Sequence, residues 1–199
     1  MDGQESLELG CGAARWSIGL ARQGARPVGV DLSPEQLAVA RRLQRRAAVR
    51  FPLVRGSAEQ LPFRNERFDL AFSDWGALTF SDPWKSIPEC ARVLRRGGRL
   101  VFATSSPFRV VFQARRGSGM GRFARYPYFG LHRVDYPGEV NFQLPYGEWV
   151  ALFRHCGLRV DRLLETRPPP HARSSYLSEE EEAWGRRWPL ECIWAVTKE

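Results

Sequence analysis

The sequence predicts an α/β fold with a doubly wound sheet, in which strands alternate with helices. Short apolar runs at residues 6–9, 27–31 and 68–74 are each followed by a segment with apolar residues at helical spacing. This alternation continues to about residue 104, which favours a mostly parallel sheet with helices on both faces. The chain has 199 residues, of which 43% are hydrophobic, so one domain can bury a sizeable core.

The first strand, residues 6–9, runs into a glycine turn at Gly10 and Gly12. A helix is predicted from residue 13 to 23, so the turn faces a helix N-terminus, where a charged or polar ligand group is well received. A dinucleotide-binding loop has a third glycine five positions after the first, but that position is Arg15. The turn is therefore not typical of an NAD-dependent dehydrogenase.

The second predicted strand ends in Asp31, 21 residues beyond the first glycine of the turn. A carboxylate at a strand end near this spacing can accept hydrogen bonds from both ribose hydroxyls of an adenosine. Ser33 is the expected N-cap of the next helix, with Pro34 at its first position and its end near Ala48. A third strand is predicted at residues 49–54.

The rest of the chain contains a regular part and an irregular one. The regular elements are a strand at 68–74, a helix at 83–94, a strand at 100–104, a helix at 146–156 and strands at 158–164 and 191–197. Residues 105–144 lack a regular pattern and include a flexible loop predicted at 117–121. A second loop is predicted to carry the glutamates 179–182. Long irregular connections in a compact domain are usually functional or disordered.

The stretch Glu8-Leu9-Gly10-Cys11-Gly12 resembles the first motif of class I S-adenosylmethionine (SAM) dependent methyltransferases, and residues 56–63 resemble their adenine loop. The resemblance, to the type-11 methyltransferase domain, implies that Glu8 faces the methionine amino group and that Asp31 binds the ribose. It implies that SAM, and its product S-adenosylhomocysteine, contact Glu8, Gly10, Cys11, Gly12, Asp31, Leu32, Ser57, Ala58, Ser73 and Asp74.

The same resemblance completes the predicted fold. It implies a seven-stranded, mostly parallel sheet with an antiparallel last strand, sandwiched between two helix layers. Members of the family normally have helices before the first strand that cover the cofactor. Because this sequence begins almost at that strand, we expect these helices to be missing. A single SAM-binding domain is predicted over residues 1–199, with an acceptor-side insertion at about 105–144.

The predicted methyl transfer requires few catalytic groups from the protein, because SAM carries its own electrophilic methyl group. The protein has to align the acceptor and exclude water, no metal is required, and a base is needed only for an acceptor that holds its proton. Trp75, Tyr128 and His132 are the predicted acceptor contacts, and His132 is the candidate base. The expected acceptor is a small apolar or aromatic molecule methylated on O, N or C.

Two alternatives stay open. The net charge of +8 is compatible with an RNA or DNA methyltransferase, but the charge is almost entirely arginine, only Lys85 and Lys198 being lysines. Base methylation at an exocyclic amine typically uses an Asn/Asp-Pro-Pro-aromatic run after the fourth strand, where this chain has Ser73-Asp74-Trp75-Gly76. Nucleic acid is therefore an unlikely partner. The second alternative is a protein that binds SAM or its product without turnover.

Composition gives the remaining expectations. The four cysteines are scattered without CxxC spacing, so they are predicted to be reduced thiols rather than a disulfide framework or a zinc site. The sequence has no apolar run of about 18 residues and no signal-peptide pattern, so neither a membrane span nor secretion is expected. We expect a cytoplasmic monomer or homodimer.

Overall fold

The structure, a computed structural model, describes residues 2–113, 119–121, 123–169 and 171–199. Its strands are β1 (Glu5–Leu9), β2 (Arg26–Asp31), β3 (Leu53–Arg55), β4 (Phe68–Asp74), β5 (Leu94–Ser105), β6 (Arg133–Tyr136), β7 (Glu139–Phe142), β8 (Leu158–Glu165) and β9 (Glu191–Lys198). Its helices are α1 (Arg15–Arg22), α2 (Pro34–Arg46), α3 (Ala77–Phe80), α4 (Pro83–Val93), α5 (Pro107–Phe112), α6 (Tyr146–His155) and α7 (Glu179–Gly185).

Seven strands form one sheet in the order β3-β2-β1-β4-β5-β9-β8, and β6 pairs with β7 in a separate hairpin. The five strands from β3 to β5 are parallel to one another, whereas β9 runs antiparallel between β5 and β8. The predicted seven-stranded, mostly parallel sheet with an antiparallel last strand is confirmed.

The central strand β1 is buried on both faces, because its successive residues Ser6, Leu7, Glu8 and Leu9 are all buried. This pattern is typical of a parallel sheet that is covered by helices on both sides. Helices α1 and α2 contact each other, and so do α4 and α6. The order also brings the carboxyl ends of β1, β2 and β4 side by side at one edge of the sheet, where open α/β sheets bind ligands.

Helix α2 begins as predicted, with the Ser33 Oγ accepting a hydrogen bond from the Gln36 N–H at 3.1 Å. Strand β3 is shorter than the predicted 49–54. The residues before it close the helix instead, since the Val49 N–H donates to the Gln44 carbonyl and the Gln44 side chain donates to the Phe51 carbonyl.

The glutamates 179–182 form the start of helix α7, so the predicted loop at this position was wrong. The Ser178 Oγ accepts a hydrogen bond from the Glu181 N–H, and the Glu181 carboxylate accepts one from the Ser178 N–H. This capping box satisfies two of the N–H groups that a helix start leaves without partners. Acidic side chains in the first turn also suit the positive end of the helix dipole.

The predicted irregular insertion contains three short elements, α5, β6 and β7. They bury a small apolar cluster of their own, formed by Val110, Val111, Leu131, Val134 and Tyr136. The flexible loop predicted at 117–121 falls partly outside the described residues. Within the described ranges, every helix is too short or too polar to span a bilayer.

Candidate active site

The glycine turn joins β1 to α1 and needs its two glycines for different reasons. Gly10 has φ +67°, and a Cβ atom there would lie 2.1 Å from the Ala77 backbone nitrogen. Gly12 has φ +50°, but a Cβ atom there would meet only the Gln36 side chain, at 3.7 Å. Gly10 therefore makes room for the protein's own backbone after β4, whereas Gly12 keeps open the space in front of the turn.

Glu8 lies beneath this turn and is 5% exposed. Its Oε2 atom accepts hydrogen bonds from the Ser17 N–H, at 3.0 Å, and from the Ser17 hydroxyl. Burial raises the pKa of the Glu8 carboxyl to about 7, and the nearby carboxylates of Asp74 and Asp31 add to this shift. A positively charged ligand group beside Glu8 would stabilise its ionised form.

Asp31 ends β2 with both carboxylate oxygens oriented by the backbone. Oδ2 accepts a hydrogen bond from the Gly12 N–H at 2.7 Å, and Oδ1 accepts one from the Ser33 N–H at 2.9 Å. Each oxygen retains a further lone pair for a ligand hydroxyl. The following residue, Leu32, is 64% exposed and presents an apolar surface next to the carboxylate.

Asp74 ends β4 and accepts a hydrogen bond from the Trp16 indole Nε1 at 2.8 Å. Trp16 is a residue of the site's edge that the sequence did not reveal, because an aromatic residue early in a helix has no distinctive pattern. Glu8, Asp31 and Asp74, called here the three carboxylates, come from the neighbouring strands β1, β2 and β4. In the described part of the chain, no group of three or more His, Cys, Asp and Glu residues is arranged to hold a metal ion.

Cys11 and Ser73, also predicted to contact the cofactor, are buried. Burial raises the pKa of the Cys11 thiol to about 12, so the thiol is protonated and unreactive at neutral pH. Ser73 is 2% exposed, and its hydroxyl donates to the Leu9 carbonyl at 2.9 Å. It therefore ties β4 to β1 and does not present its side chain to a ligand.

The predicted adenine loop follows β3. The Ser57 Oγ accepts a hydrogen bond from the Glu59 N–H at 3.1 Å, and Ala58 is 4% exposed. The Glu59 carboxylate in turn accepts from the Asp82 N–H at 2.8 Å. These bonds fix the shape of the loop at the edge of the sheet beyond β2, and its contact with adenine stays a prediction.

A cleft of about 930 Å³, called here the large cleft, has Asp74 in its lining but no residue of the glycine turn. Its apolar lining includes Trp75, Phe80, Tyr176 and Leu190. A volume of this size is typical of sites that enclose small molecules. The lining comes from the exits of β4 and β5, from α3, α5 and β7, and from the chain between β8 and β9.

Trp75 lines the large cleft and has an unusual backbone conformation, with φ 49°. Its indole Nε1 donates to the Glu191 carboxylate at 2.9 Å, and the Arg109 guanidinium lies 5.5 Å from the ring centroid. Left-handed backbone in a bulky residue costs free energy and is found most often at functional sites. Trp75 thus lines the large cleft, and its contact with the acceptor stays a prediction.

Tyr128 and His132 are not among the residues that line the large cleft. The Tyr128 hydroxyl accepts a hydrogen bond from the Tyr146 N–H at 3.1 Å, and its ring packs against the small apolar cluster of the insertion. The His132 Nε2 lies 3.0 Å from the Asp82 Oδ1. Residues that do line the cleft, among them Arg109, Gln113 and Asn141, were missed because the insertion has no periodic pattern.

Residues 7–102 match the family model described as a methyltransferase domain. The chain is 37% identical over 107 residues to a demethylmenaquinone methyltransferase of Lactiplantibacillus plantarum, covering 51% of this chain and 45% of that protein. It is 36% identical over 102 residues to a malonyl-[acyl-carrier protein] O-methyltransferase of Serratia marcescens, covering 51% and 38%. The chain thus spans about half the length, or less, of the curated relatives that it matches.

Likeness in structure extends over the whole chain. A SAM-dependent methyltransferase of Mesorhizobium loti superimposes with a TM-score of 0.80, covering 99% of this chain and 92% of the other at 23% sequence identity. At this identity the likeness shows the fold alone. Residues 7–102 therefore match a methyltransferase domain, and the chain as a whole has the fold of a SAM-dependent methyltransferase.

Proposed function

We propose that the protein transfers the methyl group of SAM to O, N or C of a small, apolar or aromatic molecule bound in the large cleft. The observation that carries this proposal is the position of the three carboxylates, which converge around an open glycine turn beside the cleft. SAM bears a positive sulfonium and a positive ammonium group. Carboxylates attract both charges, and they do so most strongly where water is excluded.

The residues present fit this cofactor. Glu8 would hold the ammonium group and Asp31 the ribose hydroxyls, while the open space in front of Gly12 admits the cofactor to the turn. The proposed adenine contacts are Leu32 and the Ser57–Ala58 loop. When bound, SAM supplies an electrophilic methyl group on sulfur. The work left for the protein is to orient the acceptor in line with that group and to keep water out.

The lining of the large cleft supports an apolar acceptor, since Trp75, Phe80, Tyr176 and Leu190 provide aromatic and aliphatic surface. The two relatives described above are named for different acceptors, a demethylmenaquinone and a malonyl-[acyl-carrier protein]. Acceptor identity therefore has to be inferred from this chain's own cleft. Residues 73–76 read Ser-Asp-Trp-Gly and differ from the Asn/Asp-Pro-Pro-aromatic run that is typical of methylation at an exocyclic amine of a base. This difference argues against a nucleic-acid base as the acceptor.

Further properties belong to the same proposal. A single sheet that uses residues from 5 to 198 supports one domain over the whole chain. Cys11, Cys90 and Cys192 are free and buried, which suits the reducing cytoplasm. We propose a monomer or homodimer that needs no metal and binds neither membranes nor nucleic acid.

Calorimetric titration with S-adenosylhomocysteine tests the cofactor site. Asp31→Ala should weaken binding by about 1.5 to 3 kcal/mol, the range for hydrogen bonds to a charged partner. Asp135→Ala is the matched control, because Asp135 is an exposed acid on the hairpin that forms an ion pair with Arg133. Equal affinity in a folded Asp31→Ala variant and in the control would remove Asp31 from the site.

Transfer of a labelled methyl group from SAM to small phenols, amines and acids tests turnover. Product with at least one of these acceptors is the expected result. Tight S-adenosylhomocysteine binding without any product would favour a protein that binds the cofactor without turnover. A parallel salt titration with mixed RNA should show only weak binding that is lost at physiological salt. Tight, sequence-dependent binding at that salt would point instead to a nucleic-acid substrate.

A further inference from the structure

Two side-chain amides in the large cleft have hydrogen-bonding atoms without partners. We propose that Gln113 and Asn141 recognise one neutral polar group of the methyl acceptor, a group that contains a carbonyl oxygen next to an N–H or O–H. The acceptor would then be an apolar, ring-containing molecule that carries an amide, a protonated carboxyl or a hydroxycarbonyl group. This inference rests on the proposed function and narrows its substrate class.

Of the two residues, Gln113 carries the stronger evidence for a ligand contact. The residue is 4% exposed and lines the large cleft, yet its Nε2 atom has no hydrogen-bond partner. Buried polar groups in folded proteins are nearly always paired, because leaving one unpaired costs the full desolvation of that group. A residue that lines a cleft and keeps an unpaired amide nitrogen therefore lacks a partner that a bound ligand could supply.

The backbone keeps Gln113 in this position. It caps α5, where its N–H donates to the Arg109 carbonyl at 2.9 Å. Residues four apart lie on the same face of a helix, so Arg109 and Gln113 both reach the cleft. Val110 and Val111 instead enter the small apolar cluster. One face of α5 therefore packs in the small apolar cluster, and the other face lines the large cleft.

Asn141 approaches from strand β7, where it pairs with Val134. Its Nδ2 donates to the Glu139 carboxylate at 3.4 Å, which orients the amide and leaves the buried Oδ1 without a partner. The two residues thus offer a donor from Gln113 and an acceptor from Asn141. A carbonyl next to an N–H or O–H satisfies both at once.

The other two buried glutamines of the described residues have paired side-chain amides. The buried Gln44 donates to the Phe51 carbonyl at 2.9 Å. The buried Gln143 accepts from the Leu144 N–H and the Trp149 indole and donates to the Ser105 carbonyl. Gln113 is the buried glutamine in the described residues that keeps an unpaired amide, and it is the one that lines the large cleft.

Two ligands of the same shape test the Asn141 half of the pair, 2-naphthamide and methyl 2-naphthyl ketone, in which a methyl group replaces the amide nitrogen. Calorimetry on the protein saturated with S-adenosylhomocysteine should show the amide binding on the order of 10-fold more tightly than the ketone. Asn141→Leu should reduce this preference to less than about twofold. Absence of a preference in the wild-type protein, or its survival in Asn141→Leu, overturns the proposal.

Gln113→Leu tests the other half, with Gln44→Leu as the matched control. Gln113→Leu should weaken both naphthyl ligands, since both have the carbonyl, but it should leave Tm equal or higher because an unpaired buried amide is removed. Gln44→Leu should lower Tm without affecting either ligand. If Gln113→Leu lowers Tm as Gln44→Leu does and leaves ligand binding unchanged, Gln113 is a structural residue and the proposal fails.

The proposed function fails independently of this inference. S-adenosylhomocysteine binding is measured for the wild-type protein and for each of these variants, and we expect it to stay within about twofold throughout. Absence of binding in the wild-type protein would count against the cofactor site. Normal cofactor binding without discrimination between the two naphthyl ligands would count against the Gln113 and Asn141 pair alone.

Discussion

The three carboxylates and the large cleft lie side by side, but they differ in how their polar groups are partnered. Glu8 and Asp31 each accept two hydrogen bonds from neighbouring residues of the protein. In the cleft, Gln113 and Asn141 keep atoms without partners. One site is therefore fully organised before any ligand arrives, whereas the other is completed only by its ligand.

The supporting structure differs in the same way. The three carboxylates extend from central strands of the main core, in which Leu7 and Leu9 are completely buried. The cleft is lined by α3, α5 and α7, which have four, six and seven residues, and by the irregular chain after β8. A rigid frame can bind a cofactor that many enzymes share. Short elements can then bind a particular acceptor, and they can vary in sequence without disturbing the frame.

The largest effect is expected from Gly10→Ala. The added methyl group would collide with the Ala77 backbone at 2.1 Å, and the left-handed φ of +67° adds strain. Together these should destabilise the protein by about 2 to 5 kcal/mol and abolish S-adenosylhomocysteine binding. Urea unfolding measures the stability and calorimetry the binding.

Gly97→Ala is the control for this change, because Gly97 has φ +75° but no atom within 4 Å of the added Cβ. It should cost only about 1 to 2 kcal/mol and leave cofactor binding intact. If both substitutions have the same effect, the close approach of Ala77 does not organise the glycine turn. The view that the three carboxylates lie on a rigid frame would then be wrong.

The next largest effect concerns Glu8 and pH. Its folded pKa of about 7 lies above the ordinary 4.5, so the folded state binds the proton more tightly than the unfolded state does. Relative to Glu8→Gln, the wild-type protein should therefore lose about 2 to 3 kcal/mol of stability as pH rises from 4.5 to 7, with little further change above that. Urea unfolding of both proteins across this range measures the difference.

Cofactor binding should show the opposite trend. An ammonium group beside Glu8 favours its carboxylate, so S-adenosylhomocysteine should bind more tightly as pH rises toward 7 and should release a proton when it binds below that pH. Calorimetry in two buffers with different ionisation enthalpies detects that proton. Proton release that persists in Glu8→Gln would show that another group responds to the ligand.

A smaller and more local effect is expected from Ser178→Ala. Loss of the capping box at α7 should cost about 1 kcal/mol. Since α7 borders the large cleft and not the glycine turn, amide hydrogen exchange should accelerate in residues 178–185 while cofactor affinity stays unchanged. Weaker S-adenosylhomocysteine binding in this variant would mean that the two sites are not separate.

The sequence predicted the frame well because the frame is built from local patterns. Apolar runs, the spacing from Gly10 to Asp31 and the N-cap at Ser33 each report a short-range constraint that the fold obeys. The sheet order also follows the family resemblance, including the antiparallel β9. Ser73 shows the limit of this reasoning, since its place at a strand exit suggested a ligand contact but its side chain ties two strands together.

The cleft was harder to predict because its residues are brought together by tertiary packing. Gln113 and Asn141 lie on a short helix and a hairpin strand that share no sequence periodicity with the sheet. The aromatic run near Tyr128 gave a stronger signal, yet that side chain packs against the insertion's own small cluster. An aromatic residue can fill a core as readily as it can line a pocket, and the sequence does not separate the two.

The smallest effect is expected from His132→Ala, which separates the sequence-based expectation from the structure. The imidazole is partly exposed and contacts Asp82, and neither residue is in the lining of the large cleft. Exposed ion pairs of this kind contribute about 0 to 1 kcal/mol to the free energy of unfolding. The variant should therefore lose at most about 1 kcal/mol of stability. Turnover and the order of preference among acceptors should match the wild-type protein, because the side chain does not line the cleft.

Gln113→Leu, assayed with the same acceptors, should lower turnover instead. If His132→Ala loses turnover while keeping its stability and its cofactor affinity, then His132 reaches the acceptor after all, and the acceptor site extends from the large cleft into the hairpin.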